Sequence, residues 1–352
     1  MTTLQDVALM RLVAQGLAGP PSPDAAGAVR ALAAVQGQDL PGAITSVALR
    51  TAGRRRDDVL AAMDAGTVVR SWPMRGTLHL LAAEDLPWML ELLGPRALAG
   101  LAKRRAALEL TEAEAERARG TVVGALSGGR RLFRAALLAA IGDGGVATTG
   151  QRGYHLLWFL AQTGTLCLGP TDGGDQQFVL LDEWVREPRR LAREEALGEL
   201  ALRYFRGHGP ATVADLVRWA GSTVRDVRAG IAVAGDGLIR LDVEGTEYLL
   251  DPATPDLLAA HREDARAVRL LPGFDEFLLG YADRSAALDP AFAERICPGR
   301  NGVFAPTVVV DGRVAGTWRW SGSGRRRAAT AALFAEDAVL ASAVPGLAEA
   351  LP

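Results

Sequence analysis

A pattern of short helices followed by a pair of strands recurs along this chain, and it limits the possible folds more than any other feature. In its first occurrence the hydrophobic spacing and the Pro and Gly positions predict several helices. The predicted helices are Leu4–Leu17, Asp24–Val35, a short one after Pro41, Arg56–Ala65 and Glu84–Leu108. Between the last two lies Thr67–Leu81, rich in β-forming residues, with a predicted turn at Met74-Arg75-Gly76. This is the layout of a winged-helix module, in which the hairpin is the wing.

The same layout returns twice. The second occurrence predicts helices Thr111–Leu126, Arg131–Ile141 and Thr149–Gln162, then strands Leu166–Leu168 and Phe178–Leu181. The third predicts helices Leu191–Arg206, Thr212–Ala220 and Thr223–Ala229, then strands Leu238–Val243 and Tyr248–Leu250. Three tandem modules explain this repetition, although a single irregular α+β domain would also fit the length.

The last hundred residues differ in character. Strands are predicted at Val268–Leu271, Phe277–Leu279, Thr307–Val310 and Arg313–Trp320, and Asp311-Gly312 is a strong hairpin turn. A final helix is predicted over Arg325–Ala341. We therefore expect an α+β fold with winged helices at 1–110, 111–188 and 189–252, and a barrel-like β domain at 253–352.

The sequence lacks the signals that are typical of several classes of protein. No segment approaches the ~20 apolar residues of a membrane span, and residues 1–11 do not resemble a signal peptide. Cys167 and Cys297 are the only cysteines, which excludes a disulfide framework and fits a reducing cytosol. Phosphate-loop and dinucleotide-binding motifs do not occur. We expect a cytoplasmic, monomeric protein without a cofactor.

The sequence also offers few residues for metal binding or for catalysis by an amine. The four histidines, His79, His155, His208 and His261, are scattered without metal-ligand spacing, so no metal site is expected. Lys103 is the only lysine, and it lies in a charged helical run. Since a Schiff base needs an amine nucleophile, a mechanism of that type is disfavoured.

The basic residues are almost all arginines, and many stand in clusters. The clusters are 54–56, 104–105, 130–131, 189–190 and 325–327. The net charge is −2, so bulk charge does not indicate nucleic acid. Guanidinium groups match phosphates well, which makes Arg54 and Arg55 candidates for DNA contacts. A solvated arginine face encoded by a GC-rich genome is the alternative.

Gln36-Gly37-Gln38 is the first candidate site. On a helix the two amides would face apart, but Gly37 and the Leu40-Pro41 step favour a helix end with an extended path. In that conformation both amides point one way and can hold a water. A polar helix end without chemical importance is the alternative.

Two further segments contain candidate residues. At the predicted turn of the first hairpin, Arg75 can reach a DNA phosphate and His79 can face a polar pocket. A wing turn with a satisfied histidine is the alternative. The acidic and basic residues of 275–284 could form a site, or equally an ion-paired structural corner.

Taken together, these segments resemble the AlkZ-like family of DNA glycosylases. The resemblance rests on Gln-x-Gln at 36–38, Trp-x-Met-Arg-Gly-Thr-x-His at 72–79, Pro-Gly-Phe-Asp-Glu-Phe-Leu-Leu-Gly-Tyr-x-Asp-Arg at 272–284, and the stretch 301–318. It implies three winged helices and a β-barrel forming a C-shaped clamp on DNA. It also implies that Gln36 and Gln38 are the catalytic pair. The middle residue is often apolar in the family, and Gly37 departs from that.

The implied activity is hydrolysis of the N-glycosidic bond of N7-alkylated, bulky or crosslinked purines in double-stranded DNA, for repair or for self-resistance to a genotoxic natural product. An N7-alkylated purine is cationic and leaves as a neutral base, so two amides that orient a water could suffice. Asp39 could add charge. The alternatives are a non-catalytic winged-helix transcription regulator and a protein that sequesters a DNA-damaging metabolite in its β-rich domain.

Overall fold

The structure, a computed structural model, describes residues 2–322 and 328–352. It alternates helices with antiparallel strands. The helices are α1 (Leu4–Ala14), α2 (Ala25–Ala31), α3 (Leu40–Ala48), α4 (Arg56–Asp64), α5 (Leu86–Gly100), α6 (Ala102–Ala107), α7 (Glu112–Leu126), α8 (Arg134–Asp143), α9 (Arg152–Gln162), α10 (Leu181–Trp184), α11 (Arg193–His208), α12 (Val213–Ala220), α13 (Val224–Ala234), α14 (Thr254–Arg266), α15 (Glu276–Leu279), α16 (Ala293–Ile296) and α17 (Ala338–Glu349). The strands are β1 (Val35–Gln36), β2 (Val68–Met74), β3 (Thr77–Ala82), β4 (Leu132–Phe133), β5 (Leu166–Asp172), β6 (Asp175–Leu180), β7 (Ile239–Val243), β8 (Thr246–Leu250), β9 (Arg269–Leu271), β10 (Thr307–Val310), β11 (Arg313–Ser321) and β12 (Ala328–Leu333). None of the helices in these two ranges is both long and apolar enough to span a membrane.

Local sequence signals explain where many helices begin. The side chains of Thr3, Thr111, Thr212 and Thr223 accept hydrogen bonds from backbone N–H groups of the helices that follow them. Such a cap satisfies a donor that the first helical turn would otherwise leave unpaired. The predicted helices of the first 250 residues occur in the expected order. However, the one predicted over Glu84–Leu108 is divided into α5 and α6, and α10 was not predicted.

One prediction near the N-terminus is wrong in a way that matters for the site. The helix expected over Asp24–Val35 ends at Ala31, and Ala33 has a positive φ of 61°. The chain then runs as the short strand β1. A left-handed residue breaks the helix and turns the backbone so that the following residues can pair with a sheet.

That sheet joins the first two predicted hairpins. Its strand order is β1-β3-β2-β5-β6-β4, and Arg70 of β2 pairs with Leu168 of β5. At one edge, Val35 and Gln36 of β1 pair with Leu80 and His79 of β3. The sheet therefore holds the first glutamine beside the first hairpin.

The third set of helices packs against the first. Tyr204, Phe205 and Trp219 of α11 and α12 share a buried core with residues of β1 and β3 such as Val35 and Leu80. The third hairpin, β7 with β8, forms its own two-stranded sheet. Elements far apart in sequence thus meet behind the first hairpin.

The last hundred residues correct three predictions. Their strands form an open sheet in the order β12-β11-β10-β9, so within residues 2–322 and 328–352 there is no closed barrel. The predicted strand Phe277–Leu279 lies in the helical turn α15, which begins where Asp275 Oδ1 accepts a hydrogen bond from the backbone N–H of Phe277.

The third correction concerns the final helix. Residues 325–327 lie outside the described part of the chain, and residues 328–333 form strand β12, with Ala331 paired to Trp318 of β11. The helix itself begins at Ala338, where Asp337 caps Leu340. Pairing with β11 overrides the helical propensity of an alanine-rich segment.

Candidate functional site

Gln36 lies on β1, with only 8% of its surface exposed. Its backbone N–H donates to Oε1 of Glu276 at 2.8 Å, and its Cα is paired with that of His79 on β3. Its side-chain Oε1 is buried and has no hydrogen-bond partner in the described part of the chain. A buried acceptor without a partner costs about 1–3 kcal/mol, so this oxygen is a strong candidate for a functional group.

Gln38 lies beside β3 and is exposed. Its Oε1 accepts from the backbone N–H of Leu78 at 3.0 Å, and the N–H of Gly37 donates to the carbonyl of Leu78 at 2.7 Å. The segment 36–38 therefore runs along β3 rather than in a helix. Since an amide oxygen has two lone pairs, Oε1 of Gln38 keeps the capacity to accept a second hydrogen bond.

Gly37 allows this close approach to β3. A Cβ atom at this position would lie 3.3 Å from the Cα and carbonyl carbon of His79 and 3.3 Å from the backbone nitrogen of Leu80. Those contacts are tighter than ordinary van der Waals separation. The glycine that departs from the family pattern thus fits the tight pairing seen here.

Arg70 of β2 fixes the other side of the segment. Its Nε donates to the carbonyl of Gly37 at 2.7 Å and its Nη2 to the carbonyl of Gln38 at 3.3 Å. Its Nη1 donates to Oε1 of Gln176 at 2.6 Å. Burial lowers the pKa of Arg70 to about 10, so it remains cationic at neutral pH. Arg70 stands close to the motif around Trp72, but its role does not follow from the sequence, because nothing there shows which carbonyls it faces.

Glu276 is a buried carboxylate held by three donors. Besides the Gln36 N–H, its Oε2 accepts from Nε1 of Trp219 at 2.9 Å and lies 3.3 Å from Nε2 of His208. Burial alone would raise its pKa, but the hydrogen bonds from His208, Trp219 and Gln36 outweigh that effect and lower the pKa to about 2. The site therefore contains a permanent negative charge directly behind Gln36.

His79 is fully buried and neutral. Burial and the nearby Arg75 charge lower its pKa to about 3. Nδ1 lies 2.9 Å from the carbonyl of Thr77, so it carries the proton, and Nε2 accepts from Nη2 of Arg75 at 3.2 Å. In this structure His79 contacts Arg75 and leaves no ring nitrogen free.

Arg75 lies at the turn of the first hairpin, where its φ of 55° matches the predicted turn. Its side chain packs on Gly221, just after α12, with Cγ 2.9 Å from where a glycine Cβ would be. Part of Arg75 is exposed, but partial burial removes water from its guanidinium group and lowers its pKa. The positive charge of Arg218 acts in the same direction. Arg75 and Arg218 are both exposed residues, and although they are far apart in sequence their positive charges lie close enough to repel each other.

The acidic run of 275–284 is divided between two roles. Asp275 forms a buried pair with Arg50, with two N–O distances of 2.9 Å, and accepts from Oγ of Ser46 at 2.6 Å. Arg284 donates to the carbonyl of Leu278. Asp275 and Arg50 form an ion-paired structural corner, whereas Glu276 contacts the backbone of Gln36.

The other predicted DNA-binding residues lie apart from these contacts. Arg54 lines a cavity of about 300 Å³ against the C-terminal residues Leu347 and Leu351. Arg55 is exposed, 3.6 and 3.8 Å from Asp57 and Asp58. Their predicted contact with DNA stays a prediction.

Several other arginine clusters have partners within the protein. The pairs and contacts are Arg105 with Glu112, Arg130 with the carbonyl of Ser127, Arg189 with Asp85 and Glu199, and Arg190 with Glu91. These clusters support the view that many arginines serve local structure. Residues 325–327 lie outside the described part.

In residues 2–322 and 328–352 no three side chains of His, Cys, Asp or Glu are grouped as a metal site would require. Lys103 is exposed on α6, whereas Gln36 lies on β1.

Comparison with known proteins shows what the chain is similar to in sequence and fold. A family model described as DNA glycosylase AlkZ-like matches residues 29–351. The chain is 29% identical over 321 residues to a Streptomyces sahachiroi protein named interstrand DNA cross-link repair glycosylase, covering 88% of this chain and 85% of that one. Its fold is similar to the solved structure of Streptomyces sahachiroi DNA glycosylase AlkZ, with a TM-score of 0.80, 27% identity, and coverage of 99% of this chain and 97% of that chain.

Proposed function

The chain belongs to the AlkZ-like family of DNA glycosylases, enzymes that act on N-glycosyl bonds, and we propose that it is a monofunctional glycosylase for N7-alkylated purines in double-stranded DNA. The observation that carries this proposal is the pair of amides at 36 and 38. One has a buried oxygen without a partner in the described part of the chain, and the other is exposed with acceptor capacity left. Membership in an enzyme family argues against the regulator and the sequestering protein.

The proposed reaction needs no general acid. The C1′–N9 bond breaks, its electron pair moves to the purine, and the positive charge of the N7-alkylated ring is neutralised. A water held by the amide oxygens of Gln36 and Gln38 adds through its oxygen to C1′ and releases a proton to solvent. The products are a free alkylated base and an abasic site.

Electrostatics favour the cationic sugar of the transition state. Amide oxygens present negative dipoles, and the ionised Glu276 lies one hydrogen bond behind Gln36. Preorganised groups of this kind stabilise developing charge more effectively than water does. Because this apparatus is weak compared with a general acid, only bases that are already cationic should be released quickly.

DNA would be held by the surface around the first hairpin. Arg75 hydrogen-bonds to His79, whose Cα pairs with that of Gln36, and the positive charge of Arg218 acts on Arg75. His79 would act through Arg75, whose orientation it sets. We propose that three winged helices arranged as a C-shaped clamp carry these groups, and that the enzyme acts as a monomer.

The wider role follows from the relatives. One relative is named for repair of interstrand DNA cross-links. We propose that this chain also accepts bulky or crosslinked adducts, in repair or in self-resistance to a genotoxic natural product.

Release of free base from three duplexes tests the proposal. The duplexes contain N7-methylguanine, uracil or no damage at one position. We expect release of N7-methylguanine alone, and no covalent enzyme–DNA adduct on treatment with borohydride. Comparable release of uracil, or a trapped adduct, would contradict the proposed mechanism.

A further inference from the structure

A cavity of about 660 Å³ lies between the six-stranded sheet and the helices of the second set. Residues of β2, β3, β5 and β6 line one side of it, and residues of α8 and α9 line the other. The volume is within the range of small-molecule sites. Its principal lining residues are Arg70, Trp72, Leu78, Phe133, Tyr154 and Phe178.

The cavity borders the glutamine site. Leu78, which lines it, donates its backbone N–H to Oε1 of Gln38 at 3.0 Å. Arg70, which also lines it, donates to the carbonyls of Gly37 and Gln38. The cavity thus begins at the hydrogen-bond partners of the second glutamine.

Its lining suits a flat aromatic group. Phe133 and Tyr154 expose 37% and 40% of their surface, unusual for large apolar side chains. Trp72 packs edge-on to Tyr154 with ring centroids 6.4 Å apart, and the Arg134 guanidinium lies 5.6 Å from the Tyr154 ring centre. Aromatic faces and an adjacent cation are surfaces on which planar rings stack.

The one side-chain amide that lines the cavity is not free to read a flipped normal base. Gln176 uses both ends of its amide within the protein, since Oε1 accepts from Arg70 and Nε2 donates to the carbonyl of Gly169. A pocket that reads a flipped base needs donors and acceptors directed at the base edge. Here the Gln176 amide is already paired and Trp72 Nε1 is buried without a partner in the described residues, so the exposed aromatic surface of Phe133 and Tyr154 is the main feature of the lining.

We propose that this cavity receives the aromatic substituent of a bulky N7-purine adduct while the glycosidic bond lies at Gln36 and Gln38. This inference rests on the proposed function and names the part of the substrate that the cavity recognises. It makes Phe133 and Tyr154 determinants of specificity for bulky adducts. A methyl adduct has nothing to place there and should not depend on them.

The test compares N7-methylguanine with N7-(naphthylmethyl)guanine at the same position of one duplex. Ala135 is exposed and lines the cavity, whereas its exposed neighbour Ala136 is not part of the lining. We expect Ala135→Trp to slow single-turnover release of the naphthylmethyl adduct by about tenfold or more and to leave release of the methyl adduct within about twofold. Ala136→Trp should change neither rate.

A second variant removes an aromatic side chain that lines the cavity instead of filling the cavity. Tyr154→Ala should slow release of the naphthylmethyl adduct alone. The control Ile239→Ala removes a similarly exposed hydrophobic side chain, 37% against 40% for Tyr154, on β7 and should change neither rate. Equal effects of Ala135→Trp on both adducts, or no effect on either, would overturn the cavity proposal and leave the proposed function intact. Failure of the wild type to release the larger adduct would overturn both the cavity proposal and the proposed acceptance of bulky adducts, and would leave N7-methylguanine release intact. If the wild type releases neither base, the proposed function itself fails.

Discussion

Oε1 of Glu276 accepts a hydrogen bond from the backbone N–H of Gln36 at 2.8 Å, across 240 residues of sequence. The bond connects the turn at α15 to the edge strand β1. Because the same carboxylate accepts from Trp219 of α12, one buried charge ties together the first, third and C-terminal parts of the chain. We infer that Glu276 positions Gln36 for the reaction.

Replacing Glu276 tests that role. In Glu276→Gln an amide NH₂ would face the donors of Trp219 and His208, so we expect a loss of about 2–4 kcal/mol in the free energy of unfolding. We also expect kcat for N7-methylguanine release to fall by about tenfold or more, with KM for the duplex little changed. Urea unfolding and steady-state kinetics measure both.

The exposed Glu91→Gln is the matched control and should change neither quantity. A Glu276→Gln protein that is destabilised but keeps its full kcat would show that Glu276 only stabilises the fold.

Gly37→Ala tests the close pairing of the glutamine segment with β3. The added Cβ meets the backbone of His79 and Leu80 at 3.3 Å, so β1 must shift by a few tenths of an ångström. We expect kcat to fall by about three- to tenfold while DNA affinity is retained. An unchanged or higher kcat would mean that the glycine is not needed for the spacing of the two amides.

Arg75→Ala tests the proposed phosphate contact. Loss of one phosphate-binding cation should weaken duplex binding and reduce the slope of log Kd against log salt by about 1. Fluorescence anisotropy over a salt series measures this slope. Arg193→Ala, which removes an exposed arginine paired with Asp226, is the control and should leave the slope unchanged. The same series applied to Arg54→Ala and Arg55→Ala decides whether those two residues touch DNA.

Stability should fall as the solution is acidified from pH 6.5 towards pH 4.5. Folding lowers the pKa of His79 from 6.5 to about 3. The free energy of unfolding is therefore at its full value above pH 6.5. It falls below that pH because the unfolded chain binds a proton at His79 that the folded protein does not. The pKa of Glu276 is lowered from 4.5 to about 2, so this residue reduces the free energy of unfolding further only below about pH 4.5.

The urea midpoint at pH 6.5, 5.5 and 4.5 measures this dependence. Burial also lowers the pKa of His155, so the comparison is made in a His155→Gln background. Adding His79→Gln should flatten the remaining decline. An equally steep decline without His79 would contradict the assignment of a neutral, buried imidazole.

The sequence predicted the elements whose signals are local. Threonine caps mark helices, and the turn at Arg75-Gly76 follows from Gly76, which adopts positive φ without strain. The path of residues 36–38 was also predictable, because Gly37 and Pro41 oppose a continuous helix. The assignment of the two glutamines as a catalytic pair came from the family resemblance rather than from their spacing, and it stays a prediction.

Other features depend on contacts that no local pattern encodes. Glu276 reaches Gln36 only after the chain folds, and Arg218 approaches Arg75 from another part of the fold. The strand β12 has an alanine-rich sequence typical of a helix and is strand only because β11 pairs with it. The barrel predicted for the C-terminal part was wrong for a similar reason, because the sequences of short strands do not show whether their sheet closes.

The most direct test of the proposed mechanism is single-turnover release of N7-methylguanine from duplex DNA by the wild type and by Gln36→Ala/Gln38→Ala. With Gln151→Ala as the control for loss of an exposed glutamine, we predict a fall of about 10²–10³-fold in the double variant with unchanged duplex affinity. A double variant that releases the base at the wild-type rate would show that the two amides do not direct the hydrolysis.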